Sequence, residues 1–315
     1  MTALTSTNTP TAHWSLGDLW IVHLGRDQTE GLFSLLETIW APGFLAPLHV
    51  HRDTDELYYV LEGELTVHLP GRTVPRRAGG WVYCPREVPH TYEVTSPSPA
   101  RLLYVGSPTG FEAFVVAAGE PAGALTLPPG DPDIARAVAL APSYGIDILA
   151  APGELPEGLP PEAPASAAYW SLGHLAIVHV PGEATERRYS LVEHLSPPGE
   201  RPPMHVHRRE GQLWYVLEGE LTVTLAGEAR RCGPGEWAYG APDVPHTHEV
   251  TSKTPARILE INAPAGFEDF VAAAGEPAEE LTLPPRAHDL SQALALAPSY
   301  GIDLLEPLRP AREAG

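Results

Sequence analysis

Four residues of this chain have the types and spacing of a metal-binding set. His49 and His51 stand one residue apart, Glu56 follows five residues later, and His90 lies further along. On an extended segment alternate side chains share a face, so His49 and His51 point the same way. Three imidazoles and one carboxylate suit a borderline divalent ion: iron, manganese, nickel, cobalt or copper. No cysteine accompanies them, which argues against a structural zinc site. The plainer alternative is a structural polar cluster. The pattern is then written a second time. "HVHRDTDELYYVLEGE" at His49 returns as "HVHRREGQLWYVLEGE" at His205, and His207 and His246 repeat His51 and His90. The carboxylate does not return, because Gln212 stands where Glu56 stood. An amide offers one oxygen to an ion but neither charge nor proton acceptance at neutral pH. The second set, His205, His207, His246 and Gln212, is therefore expected to hold an ion less tightly and to lack a base. One or two ions per chain are expected.

Other side chains follow from the same alternation. If Glu56 and His90 face inward, so do Tyr58 and Tyr92, and His248 does so beside His246. These three are pocket-lining candidates, although barrel packing is the ordinary role of such tyrosines, Tyr83 included. Glu210 and Glu260 are the other carboxylates that could serve the second set. Glu210 falls two residues short of the motif position, and Glu260 sits in "RILEIN". His13, His23, His68, His174, His179, His194 and His288 have no partner spacing. Cys84 reads as a small buried hydrophobe.

The elements that must position these residues are short strands. "LYYVLEGELTVHL", "GGWVYCP", "HTYEVTS" and "ARLLYVGSP" are apolar or aromatic runs bounded by Gly and Pro, the pattern of a barrel or sandwich. "TGFEAFVVAAGEP" is helical by period and stops at Gly119. "DPDIARAVALAPSYG" predicts a second helix, with Asp131 as N-cap, Pro132 at the first helical position, Gly145 as C-cap and an early end or kink at Pro142. The whole arrangement recurs at a constant offset of 156 residues, and more than half of the positions from Trp14 to Leu149 are identical in the second copy. That period is the size of a domain, not of a solenoid repeat. The expected organisation is a first domain over 1-150, a Pro-rich linker over 151-168 and a second domain over 169-315. The first dozen residues and the tail read as loosely ordered.

At this point the chain resembles the cupin superfamily. Gly43, five residues, His49-Val50-His51, four residues, Glu56, six residues and Gly63 fit the first cupin motif throughout. "PREVPH" fits the second motif at Pro85 and His90, with Glu87 where the family often has Gly and Val94 where it usually has Asn. The second copy matches at Gly199, His205, His207, Gly219 and His246 and departs at Gln212 and Ala241. The resemblance covers both copies and implies a mainly β protein of two tandem cupin barrels, each followed by short helices. "GFEAFVVAAGEPA" and "SYGIDIL" are similar to the tails of bicupins related to quercetin dioxygenase. That likeness implies His49, His51, Glu56 and His90 as metal ligands. It also implies Glu56 as the base that takes a proton from a flavonol hydroxyl before reaction with dioxygen.

Composition narrows the partners. The formal net charge is -20, which disfavours nucleic acid and anionic membrane, since both call for clustered Lys and Arg. The N-terminus shows no secretory signal and no stretch is long enough for a membrane span, so the expected home is cytoplasmic. Two cysteines at unmatched places make no disulfide framework. The first function expected is a metal-dependent dioxygenase acting on an enolic or phenolic, flavonol-like small molecule, with catalysis in the first barrel. The others are a metal- and ligand-binding bicupin without turnover, and a cupin-type isomerase or decarboxylase. The partners expected are that substrate and dioxygen, with the two barrels as an internal pseudo-dimer and a further homodimer open.

Overall fold

In the computed structural model, which describes residues 3–5, 10–285 and 290–306, the chain is mainly β. It divides into two compact units, Thr9–Ala163 and Pro164–Gly315, the latter joined by Met1–Asn8. His288 lies outside the described residues. In the first unit, a seven-stranded sheet runs in the spatial order Glu120–Pro121, Thr11–Ser15, Asp18–Leu24, Ser34–Trp40, Ala100–Ser107, Asp55–Glu62, Trp81–Cys84. A three-stranded sheet orders Thr91–Val94, Glu64–Leu69 and Arg72–Arg77, and Leu48–His51 pairs with Ile146–Ala150. The second unit repeats this plan in sheets of eight and five strands.

The sequence dictates the sharpest turn directly. Gly63 joins strands Asp55–Glu62 and Glu64–Leu69 at φ +80°, and a Cβ there would lie 2.9 Å from the Ala100 Cα. Only glycine meets both demands. Gly219 repeats the case, with φ +80° and the Ala256 Cα at 2.8 Å. The turn thus fixes where the strand carrying Glu56 ends and which way its residues alternate.

The helices follow as expected, with one change at a cap. Phe111–Ala118 stops at Gly119. The next helix, Ile134–Leu140, is capped by Asp133, whose carboxylate accepts from the Arg136 N–H at 3.0 Å, rather than by Asp131. Pro142 tightens the chain into a 3₁₀ turn over Ala141–Tyr144, because proline lacks the N–H an α-turn needs. Gly145, at φ +76°, then reverses the chain.

That reversal has a structural purpose for the histidines. Strand Ile146–Ala150 lies against Leu48–His51 with Ile146 opposite His51 and Ile148 opposite His49. In the second unit Ile302–Leu304 does the same for His205–His207. Two expectations at the N-terminus are corrected. Ala3–Thr5 is a strand paired with Trp237–Gly240 of the second unit, and Thr11–Ser15 is an inner strand of the first sheet. Residues 3–5 therefore do not belong to a first domain of 1-150. The Pro-rich stretch carries no helix or strand between Ala150 and Ala167, where the second unit's first own strand begins.

Candidate metal centres

His49, His51, Glu56 and His90 converge. One ligand atom from each lies within 4.8 Å of every other, and all four residues are buried. His49 and His90 face each other across a bridge in which each backbone N–H donates to the other's carbonyl, at 3.0 and 2.8 Å. His49 Nδ1 donates to the Pro47 carbonyl and His90 Nδ1 to the Val88 carbonyl, both at 2.9 Å. With Nδ1 occupied, Nε2 is the atom each ring offers inward. Glu56 Oε1 lies 3.2 Å from His51 Nε2, and Oε2 lies 2.9 Å from His90 Nε2. Burial would raise the Glu56 carboxyl, but His51 and His90 overcome it and lower it to about 2. Burial lowers His51 to about 4, against the pull of Glu56, and holds His49 well below the usual range. Three imidazoles around a carboxylate are a donor set for a divalent cation.

The second set also closes. His205, His207 and His246 offer ligand atoms within 4.8 Å of one another. Carbonyls of Pro203 and Val244 accept from His205 and His246 Nδ1, each at 2.8 Å. His207 Nδ1 is held instead by the Glu210 carboxylate at 2.9 Å. The Nε2 atoms of His207 and His246 are buried with no hydrogen-bond partner, and so is Gln212 Oε1. Buried polar atoms without partners are costly, and an ion shared among them would remove the cost. The residues present fit a metal in both barrels.

The interiors behind the two sets differ in kind. In the first barrel Tyr58, expected to line a pocket, is fully buried among Trp40, Tyr92 and Tyr104 at ring separations of 5.3 to 5.4 Å. Alternation does turn it inward, but aromatic rings fill the space it faces. Its hydroxyl reaches Glu56 Oε1 at 3.4 Å. Tyr92 stacks on Trp40 at 4.7 Å and lies edge-on to His49 at 5.6 Å. In the second barrel the same positions carry polar groups. Gln212 Nε2 donates to Glu260 Oε1 at 3.0 Å and to Asn262 Oδ1 at 3.1 Å, and Trp214 Nε1 donates to Glu260 Oε2 at 3.1 Å. Glu260 stands 3.3 Å from His194, and His194 Nδ1 lies 3.0 Å from His174 Nε2. His174 in turn faces Glu200 at 3.4 Å, and His248 faces Glu200 at 3.6 Å. Burial works to raise Glu200, but His174 and His248 hold it well below the usual carboxylate range; Glu200 and Glu260 in turn keep His248 raised despite its burial.

Sequence reasoning passed over His174, His194 and Glu200 because none has motif spacing. The signal was available in the duplication: they replace Asp18, Thr38 and Phe44 of the first copy, and a polar residue replacing an aromatic one inside a barrel marks a changed interior. His13, His23, His68 and His179 contribute to neither set.

Each barrel holds a cavity. That of the first unit is about 380 Å³, lies over His49 and His51, and is walled by Phe44, Tyr92, Phe111 and Phe114. No Arg or Lys lines it among the described residues. The second unit's cavity, about 320 Å³, reaches His205, His207, Gln212 and His248.

Twin antiparallel barrels with inward histidines and trailing helices define a bicupin, and this chain belongs to the cupin superfamily. The Cupin domain family matches residues 36–106 and 192–262. Over 298 residues the chain is 24% identical to the quercetin 2,3-dioxygenase of Bacillus subtilis, covering 89% of this chain and 88% of that protein. Among solved structures it is similar to oxalate decarboxylase from Bacillus subtilis, with a TM-score of 0.53, 17% identity, and coverage of 84% of this chain and 76% of that one. Oxalate decarboxylase from Lactobacillus farciminis, in a formate complex, gives a TM-score of 0.54 at 15% identity, covering 84% of this chain and 86% of that one. No helix among the described residues is long and apolar enough to cross a membrane.

Proposed function

We propose that this bicupin is a metal-dependent dioxygenase acting on an enolic or phenolic, flavonol-like small molecule, with the chemistry in the first barrel. The observation that carries the reading is an apolar, aromatic-walled cavity lined by His49 and His51, two members of the histidine–glutamate set. Such walls suit a flat, uncharged ring system and offer nothing to a small dianion, which would ask for Arg or Lys. The likeness to a quercetin dioxygenase over most of both chains supports the same reading.

Each residue has a part. His49, His51, His90 and Glu56 would hold one divalent ion, of iron, manganese, nickel, cobalt or copper, and such an ion supplies Lewis acidity and a redox partner for dioxygen. Backbone carbonyls of Pro47 and Val88 fix the rings of His49 and His90. Glu56 is the base: its carboxylate lies 3.2 Å from the His51 ring that lines the cavity, within reach of a hydroxyl entering among the imidazoles. Phe44, Tyr92, Phe111 and Phe114 exclude water from the deprotonated substrate. The second barrel, with Gln212 in place of the base, supports the first and turns over nothing.

The test is metal analysis of the chain as isolated, followed by dioxygen uptake with flavonols and other enols under each candidate metal. Uptake with an enolic substrate is expected. Its absence with every enol and every metal would transfer the reading to a binding bicupin without turnover.

A further inference from the structure

The two cavities belong to duplicated halves of the chain but are lined by different residues. In the second cavity Glu200, His174 and His248 form a polar corner, in a lining that also includes the apolar Trp214, Phe267 and Phe270. At the matching places the first barrel has Phe44, Asp18 and Tyr92. The polar corner is buried: His174 is 5% exposed, and the Glu200 and His248 side chains are 11% and 14% exposed. His174 Nε2 is taken by His194, but other polar atoms of the corner lack an aligned hydrogen bond. Glu200 Oε2, His174 Nδ1 and His248 Nδ1 have no aligned partner, although both rings stand within 3.4 to 3.6 Å of Glu200. Buried groups held close but left unmatched beside open volume are the signature of a site that a ligand completes.

The unmatched atoms select the ligand. A carboxylate only accepts, while an imidazole can both donate and accept. A hydroxyl, which also does both, matches either neighbour. An ammonium only donates and would leave an imidazole lone pair facing nothing. An anionic ligand would face Glu200 and Glu260, both of which line the cavity. The aromatic walls favour a ring as the hydroxyl's carrier. We propose that the second barrel is a separate binding site for a neutral, hydroxylated ring compound, with Glu200 accepting a hydrogen bond from its hydroxyl and His174 and His248 completing the hydrogen bonds. The inference goes beyond the dioxygenase reading and does not depend on it.

Resorcinol is a suitable probe, since its two hydroxyls are too far apart to chelate one ion. Calorimetric titration of the full chain is expected to show saturable binding of resorcinol, stronger than that of benzylamine or benzoate. Glu200→Phe and His174→Asp, which copy the first barrel, should each weaken binding at least about tenfold. Glu200→Gln, which keeps the shape and one acceptor oxygen, should weaken it less and guards against a misfolded Phe variant; circular dichroism checks the fold of all three. The proposal is overturned by folded Glu200 variants that bind resorcinol like the wild type, by tighter binding of either charged probe, or by no saturable binding at all. Because binding is read without dioxygen or turnover, an inactive first barrel leaves the result intact.

Discussion

The amide nitrogen of Gln212 lies 3.0 Å from Glu260 Oε1, whereas Glu56, at the equivalent place in the first barrel, puts its own carboxylate 2.9 Å from His90. The second barrel therefore kept a carboxylate near its histidines but moved it one strand away. Gln212 Nε2 is occupied by two acceptors, Glu260 and Asn262, which leaves only Oε1 to face an ion. Glu210 adds a second negative charge behind His207 and makes that imidazole a stronger donor. The full uncompensated charge expected of an amide-only site is thus reduced.

Metal content should separate the two sets. Up to two ions per chain are expected, with the second lost first on dialysis against a chelator, because its carboxylates act through Gln212 and His207. His246→Ala should remove the second ion and leave most activity. His90→Ala should remove the first and abolish activity. Elemental analysis and dioxygen uptake on the same preparations check this; equal loss of activity in the two variants would place the chemistry elsewhere.

Glu56→Gln preserves shape and one oxygen while removing the proton acceptor. A positioned base contributes about a hundredfold or more, so turnover should fall by at least that much with the circular dichroism spectrum unchanged. Undiminished dioxygen uptake would exclude Glu56 as the base.

Acid should destabilise the metal-free chain. Burial lowers His51 to about 4 and His205 to about 3, and puts His49 and His246 well below the usual value, while the unfolded chain takes up these protons near 6.5. Stability from these groups is present above pH 6.5 and lost as pH falls toward 3. Glu56, at about 2 against 4.5, adds a loss below pH 4.5. His248 and Asp18, both raised, work the other way, since their contributions fade as pH rises above their unfolded values, but they are two groups against four histidines. Each low histidine contributes up to about 1.4 kcal/mol per pH unit. Calorimetry should find a Tm several degrees lower at pH 5 than at pH 7; an unchanged Tm would count against neutral buried imidazoles.

Glycine substitutions should separate strain from clash. Gly63→Ala meets both a left-handed φ of +80° and a Cβ contact of 2.9 Å with Ala100 Cα, and should cost about 2–4 kcal/mol. Gly43→Ala has φ +73° but nothing within 4 Å, and should cost only about 1 kcal/mol. Urea denaturation of the pair tests the difference.

Much of this protein can be read in the chain itself. The duplication follows from the constant offset and the shared face of His49 and His51 from the two-residue period of strands, while the tandem-barrel fold and the convergence of Glu56 and His90 with them are what the cupin resemblance implies. The helix after Phe111 follows likewise from its period and its terminal glycine. Local rules place a residue on a face, but they do not tell what stands opposite. That Tyr58 is walled in by rings, that Ile146–Ala150 props the histidine strand, and that residues 3–5 pair with the second unit are contacts between distant segments. The polar corner of His174, Glu200 and His248 draws on three separate strands or loops, and its unmatched atoms exist only where those segments meet. No spacing rule links residues 174, 200 and 248, so the chemistry of the second cavity was decided by tertiary packing alone.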